Sequence, residues 1–114
     1  MTEAAAVSTA TKATSTARAA TIEEVREQID GLDRRIVSLI AERQQWVIVA
    51  GSLKKDEQAV RAPARVEQVI AKVREVAEGA GASPDVVEQT YRALIAAFID
   101  LELDRVVLDE YTIK

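Results

Sequence analysis

The stretch that decides the fold spans residues 21–57 and reads TIEEVREQIDGLDRRIVSLIAERQQWVIVAGSLKKDE. Its apolar side chains recur three and four positions apart, as on a helix with one apolar face. They are Ile22, Val25, Ile29, Leu32, Ile36, Leu39, Trp46, Ala50 and Leu53. Thr21 followed by Glu24 forms a capping box, which predicts a sharp start. Such a helix would extend roughly 54 Å, while a compact domain of about 100 residues has a radius of gyration near 13 Å. We therefore expect a second chain to pack against it.

Composition narrows the class of protein. The chain has 114 residues, 48% hydrophobic and 4% aromatic, which is typical of one helical domain packed with aliphatic side chains. It contains no Cys and no His, so disulfides, thiolate chemistry and the commonest general base and metal ligand are excluded. We therefore expect no cofactor and no metal.

Charge and hydropathy predict which partners are absent. The formal net charge is −4, whereas a nucleic-acid-binding domain usually carries a basic face. No apolar run approaches the roughly 20 residues of a membrane span. We expect neither nucleic acid nor membrane as a partner, and a cytoplasmic location.

The rest of the chain predicts two more helices. Residues 1–20 are rich in Ala, Thr and Ser and read as a disordered tail, with a transit peptide as the alternative. Pro63 predicts a break followed by a short helix, which ends at Gly79-Ala80-Gly81. Ser83 and Pro84 then start a third helix. The fold class is all-α, a three-helix protomer (long, short, long) over residues 21–114.

Cations on the first helix are the first candidates for a binding site. Arg43 interrupts the apolar seam, and its charge is costly to bury unless an anion meets it. Lys54 follows eleven positions later, which on a continuous helix is about three turns and roughly 16 Å along the same face. Arg26 precedes Arg43 by seventeen positions, about 26 Å, too far for one small ligand. An antiparallel partner chain could supply Arg26 instead.

Arg65 extends this set of cations. With Pro63 at the first helical position, Arg65 lies in the first turn, where the helix dipole disfavours a cation. Together with Lys54, Lys55 and Arg61 it forms a local basic cluster in an acidic chain, which could focus an anionic substrate.

Each residue also has a simpler interpretation. Arg26 could be a solvated salt-bridge residue, and Lys54 and Lys55 could be surface lysines. Arg43 could set the register of a coiled coil. Glu102, one turn beyond Phe98, could be a carboxylate at the rim of the third helix's apolar face.

Taken together, Arg26, Arg43 and Lys54 at spacings of 17 and 11, followed by Arg65 on a short second helix and by Glu102, resemble the all-helical chorismate mutase family. The resemblance covers Thr21 to about Val107. It implies an intertwined homodimer of three-helix protomers with two active sites. It also implies that Arg26 enters the partner's site, while Arg43, Lys54 and Arg65 of the same chain hold the two carboxylates and the ether oxygen of chorismate.

Three positions depart from the usual family pattern. Mutases commonly carry acids where this chain has Val66 and Ala62, and the segment from Ala62 to Val66 looks more like the isochorismate-pyruvate lyases of salicylate biosynthesis. Glu102 stands where both groups commonly carry Gln. It is expected to face the ether oxygen and, because a carboxylate would repel an oxygen that gains negative charge, to work in its neutral form.

The resemblance predicts a chorismate mutase of aromatic amino-acid biosynthesis that converts chorismate to prephenate. This pericyclic reaction needs neither metal nor covalent intermediate, so a chain without His and Cys could carry it out. Two alternatives stay open within the fold, an isochorismate-pyruvate lyase and a mutase of amino-substituted chorismate. A third is a non-catalytic helical dimerisation module, for which the seam alone would suffice.

Overall fold

The computed structural model describes residues 20–113, with side chains described for residues 20–105. The described range is all-α and contains no strand, as the sequence predicts, and the long, short, long order of its main helices is confirmed. The predicted tail lies, up to residue 19, outside the described residues. The helices are α1 Ile22–Ser52, α2 Glu57–Arg61, α3 Pro63–Ala80 and α4 Pro84–Ile113.

Helix α1 begins at the predicted residue but ends before the predicted end of the helix. The Thr21 hydroxyl accepts a hydrogen bond from the Glu24 amide at 3.2 Å, as an N-cap does. The prediction that the helix continues to about Glu57 is wrong, since it ends at Ser52. The amides of Leu53 and Lys54 instead bond to carbonyls three residues back, which tightens and closes the last turn. Lys54 therefore lies in the loop after α1 and does not share a helical face with Arg43.

A short helix, α2, was missed in the sequence. The Asp56 side chain caps it by accepting a hydrogen bond from the Ala59 amide at 2.8 Å. The predicted break is confirmed at Ala62, which has φ 34° and ψ 63°, a left-handed conformation rare for a residue with a Cβ. Pro63 then starts α3, where its missing N–H costs no hydrogen bond.

The end of α3 and the start of α4 also follow the prediction. Gly81 has φ 76°, a conformation that glycine adopts without strain, and it closes α3. The Ser83 hydroxyl accepts a hydrogen bond from the Val86 amide at 3.3 Å and so caps α4, whose first residue is Pro84. Helices α3 and α4 are thus joined by a turn of three residues, which places them side by side.

Two compact units make up the chain, one up to Glu42 and one from Arg43 onward. In the second unit α4 packs against α3 and against α2. The apolar side chains buried there are Val60, Ile70, Ala77 and Phe98. Helix α1, which runs through the boundary, contributes no buried residue. The core of one chain is therefore small.

The apolar face predicted on α1 is exposed in a single chain. In the first unit Ile22, Ile29, Leu32, Ile36 and Leu39 are each at least half exposed. In the second unit Trp46, which belongs to the same predicted face, is 74% exposed. Contiguous apolar surface of this kind usually marks an interface. No helix in the described part of the chain is long and apolar enough to cross a membrane.

Candidate active site

A cavity of about 320 Å³ lies in the second unit. Its wall is formed by the C-terminal part of α1, by α2, by the start of α3 and by one face of α4. This volume is in the range of sites that bind small molecules. The uncharged residues of the wall are apolar: Trp46, Val47, Ala50, Val60, Ala62, Val66, Val69, Ile95, Phe98 and Ile99.

Charged side chains complete the wall. The cations are Arg43, Lys54, Arg61 and Arg65, and Glu102 is the carboxylate among the lining residues. The residues that line the cavity therefore carry three more positive charges than negative charges. A concave site of one sign with apolar walls concentrates ions of the opposite sign, so this cavity attracts an anion.

Lys54 and Glu102 form an ion pair in the cavity wall. The Lys54 ammonium donates to Glu102 Oε2 at 3.0 Å, and the Glu102 side chain is only 7% exposed. A carboxylate is rarely buried unless it is paired, so the lysine explains why this position tolerates an acid. The alternative that Glu102 is a rim carboxylate is wrong. Lys54 comes from the loop after α1 and Glu102 from α4, 48 residues later.

Arg43 lies over an aromatic ring. Its guanidinium carbon is 5.2 Å from the centre of the Phe98 ring, a cation–π contact between α1 and α4. Arg43 is half-buried and Phe98 is buried. Because the ring takes none of the hydrogen bonds that a carboxylate would accept, the five guanidinium donors remain suited to an anionic ligand.

Arg61 and Arg65 lie on either side of the left-handed Ala62. The Arg61 guanidinium donates to Glu57 Oε1 at 2.9 Å, one turn back on α2. Arg65 lies in the first turn of α3, as the sequence predicts, and is exposed. The short α2 and the Pro63 start together bring both arginines to one cavity.

The structure brings most of the predicted site residues together. Arg43, Lys54, Arg65 and Glu102 all line the cavity. Arg26 is exposed near the start of α1, belongs to the other unit and is not among the lining residues. The predicted helical spacing between Arg43 and Lys54 is wrong, because Lys54 follows the end of the helix, but both residues line the cavity.

Sequence reasoning missed two features of the site. The contact of Arg43 with Phe98 depends on how α1 and α4 pack, which no local pattern shows. Gly51, in the last turn of α1, approaches Glu102 so closely that a Cβ there would lie 3.2 Å from Oε2. A glycine inside a helix is the signal that could have drawn attention to this position, since it is a poor helix former.

A second cluster of charges, also missed, joins α3 to α4. Arg74 bonds to Asp85 and Glu88 at 2.9 Å, and Arg92 bonds to Glu67 and Glu88 at 2.8–2.9 Å. Hydrogen bonds from Arg92 lower the pKa of Glu67 and of Glu88. Hydrogen bonds to the acids raise the pKa of Arg74, through Asp85 first, and of Arg92, through Glu67 first.

Comparison with known proteins identifies the family. A search of the curated proteins found no match. The family model described as chorismate mutase type II matches residues 25–103, most of the chain and the whole of the cavity wall. On this match the chain belongs to the chorismate mutase type II family.

Proposed function

We propose that the protein is a chorismate mutase and that this cavity is its active site. The observation that carries the proposal is the excess of cations around a cavity of small-molecule size. Chorismate is a dianion with two carboxylates on an otherwise largely apolar frame. The cations match its charge and the aliphatic wall matches its ring. Family membership supports the same substrate.

The chemistry assigned to the site is positioning and charge stabilisation. Arg43, Lys54 and Arg65 bind the two carboxylates and hold the substrate in its folded, reactive conformer. As the ether bond breaks, its oxygen gains negative charge, and a cation already in place stabilises the transition state more than the ground state. Bonds break and form within one molecule, so these steps require no group on the protein to form a covalent bond.

Glu102 changes its hydrogen-bond partner in the proposed mechanism. In the structure its Oε2 accepts a hydrogen bond from Lys54, whereas the proposed role is to donate one to the ether oxygen. For that role the pair must open, so that Lys54 turns to the substrate and Glu102 holds a proton. A substrate carboxylate is a suitable new partner for Lys54.

We further propose that two chains form the active unit, an intertwined homodimer. The support is the apolar face of α1, which is largely exposed in one chain, and the small core of that chain. The partner's α1 would cover this face and supply Arg26 to the site, as in the expectation from the resemblance. A cytoplasmic location and a role in aromatic amino-acid biosynthesis are part of the same proposal.

The dimer is tested by mass and by complementation. Light scattering on protein lacking residues 1–20 should give twice the chain mass. Inactive Arg26→Ala and inactive Arg43→Ala chains, unfolded together and refolded, should recover roughly a quarter of the wild-type activity, because half of the dimers would hold one intact site of two. A folded, active monomer would exclude the shared site.

The second candidate function is isochorismate-pyruvate lyase. Val66 and Ala62 line the cavity where mutases commonly carry acids for the ring hydroxyl. The carboxylate among the lining residues, Glu102, is already paired with Lys54. A site without an acid for that hydroxyl selects chorismate less strongly, so isochorismate could also bind as a substrate.

Both candidates are tested by one assay with two substrates. Purified protein is given chorismate and isochorismate separately and the products are identified, with Arg43→Ala as the control for a contaminating enzyme. Prephenate from chorismate at the higher kcat/KM supports the mutase, and salicylate with pyruvate supports the lyase. If neither substrate is converted and a bicyclic transition-state analogue does not raise the Tm, the non-catalytic dimerisation module is favoured over both the mutase and the lyase.

A further inference from the structure

Gly51 lies in the last turn of α1, directly against Glu102. A Cβ built on Gly51 would lie 3.2 Å from Glu102 Oε2, 3.5 Å from its Cγ and 3.6 Å from its Cδ. The first of these distances is shorter than ordinary van der Waals contact, so a methyl group would push the carboxyl by a few tenths of an ångström. The absence of a side chain here lets α1 and α4 meet at the one buried charged residue in the described part of the chain.

Gly51 also holds the backbone that carries Lys54. Its carbonyl accepts the Lys54 amide at 3.1 Å, in the closing turn of α1. The ammonium of that lysine then reaches the same Oε2 atom, at 3.0 Å. One residue therefore limits the position of both partners of the ion pair, the lysine through its backbone and the glutamate through the space left for it.

We propose that Gly51 is a positioning residue that sets the Lys54–Glu102 geometry in the site. Its effect on the reaction rate rests on the proposed function, because it acts through residues assigned to catalysis. Its effect on the ion pair does not. A Cβ at position 51 should displace the Glu102 carboxyl. This displacement disturbs the resting pair with Lys54 and, once the pair has opened, the approach of Glu102 to the ether oxygen.

The main test is Gly51→Ala. The backbone at Gly51 is helical and alanine is the better helix former, so the variant should fold. Misplacement of a catalytic group by 1 Å can cost about a hundredfold in rate, so a shift of a few tenths should lower kcat roughly threefold to tenfold with a smaller change in KM. Loss of binding alone would instead raise KM.

Gly79→Ala is the matched control. It makes the same change in a helix, at a position where a Cβ meets nothing within 4 Å. Kcat and KM should stay at wild-type values, and the Tm should rise slightly because alanine favours the helix. A fall in kcat for both variants would overturn the proposal, since it would follow from glycine replacement and not from contact with Glu102.

A double variant tests whether the effect passes through Glu102. Glu102→Asp shortens the side chain by one methylene and makes room for a Cβ at position 51. The Gly51→Ala change should therefore lower kcat less in the Glu102→Asp background than in the wild type. If Gly51→Ala lowers the Tm through this contact, the loss of Tm should also be smaller in the Glu102→Asp background. An equal loss in both backgrounds would contradict the proposal.

A structural readout separates this inference from the proposed function. The ammonium signal of Lys54 in ¹H–¹⁵N NMR, assigned by its loss in Lys54→Arg, should shift in Gly51→Ala and stay unchanged in Gly79→Ala. If the wild type converts neither chorismate nor isochorismate, the proposed function fails while this signal still decides the role of Gly51. An unchanged Lys54 signal in Gly51→Ala would show that Gly51 does not set the pair.

Discussion

Two charged clusters in the second unit differ in how completely they are paired. Between α3 and α4, two arginines face three acids, and each arginine bonds to two of them at 2.8–2.9 Å. These groups are exposed or half-exposed, so such pairs add little stability singly and help to align the two helices. Each charged group of this cluster is paired with another group of the cluster, so no ligand is required to balance its charge.

The cavity cluster shows the opposite balance. The lining residues carry four cations and one carboxylate. Lys54 pairs with that carboxylate, Glu102, and Arg61 pairs with Glu57 on α2. In the described part of the chain, these two pairs leave the charges of Arg43 and Arg65 for a ligand. Arg43 and Lys54 are half-buried against the apolar walls of the cavity and Glu102 is buried, so water screens these three charges less than charges at the surface. Arg61 and Arg65, in contrast, are exposed. The comparison teaches that an excess of charge in a partly enclosed site, and not the number of ion pairs, distinguishes a binding site from a structural network.

The largest expected effect comes from removing one arginine from each cluster. Arg65→Ala should lower kcat/KM on chorismate by about 10²–10³, because it removes a preorganised donor to developing charge. Its Tm should hardly change, since Arg65 is exposed. Arg92→Ala should keep wild-type activity and lower the Tm slightly. Both variants are measured by steady-state kinetics and by thermal melts. The contrast between the two clusters is contradicted if the two effects are exchanged or if both variants lose activity.

The pH dependence of kcat/KM tests the role of Glu102 in the cavity cluster. If the protonated acid is the active form, kcat/KM should rise as pH falls from neutral, by up to about tenfold per pH unit for one required proton. Glu102→Gln is a permanent donor and should flatten this profile while keeping or raising activity at neutral pH. The measurement is kcat/KM on chorismate for both proteins from about pH 4.5 to 8. Parallel profiles, or a Gln variant inactive throughout, would place Glu102 away from the ether oxygen.

Val66 tests whether the cavity lacks an acid for the ring hydroxyl. Val66→Glu should raise mutase kcat/KM about tenfold, since a hydrogen bond to a charged group contributes roughly 1.5–3 kcal/mol and part is lost in burying the acid. Val66→Gln has nearly the same size without the charge and should gain less. Lower mutase activity in a folded Val66→Glu protein would show that this position does not face the hydroxyl.

The smallest effect concerns the α3–α4 cluster at low pH. Arg92 lowers the pKa of Glu67 and Glu88 in the folded chain. Their contribution to stability is therefore full above the unfolded value of about 4.3 and is lost as pH falls through the lower folded values. The Tm of the wild type should approach that of Arg92→Ala below about pH 4. A Tm difference that is constant from pH 7 to pH 3 would contradict this.

The helix starts and stops were predictable because each has a local chemical cause. Thr21, Pro63, Gly81 and Ser83 act on their immediate neighbours, and all four lie at the predicted boundaries. The end of α1 was not predictable from periodicity, because Leu53 continues the apolar pattern beyond the last turn. Capping of α2 by Asp56 marks a boundary that the pattern does not show.

The site was predictable only as a set of residue types. Arg43, Lys54 and Arg65 stand out as cations in an acidic chain, and the cavity contains all three. The pairing of Lys54 with Glu102 joins positions 48 residues apart and depends on how helices pack. Partner contacts such as that proposed for Arg26 depend on a second chain, so no pattern within one helix can specify them.

Titration calorimetry tests the central claim most directly, that the excess cations of the cavity hold a dianion. The ligand is a bicyclic dicarboxylate analogue of the transition state, compared with the same compound carrying one carboxylate as an ester. We expect one dicarboxylate bound per chain, at least tenfold weaker binding of the monoester, and affinity that falls as salt rises. Equal binding of the two compounds, or no binding of the dicarboxylate to folded protein, would contradict the account.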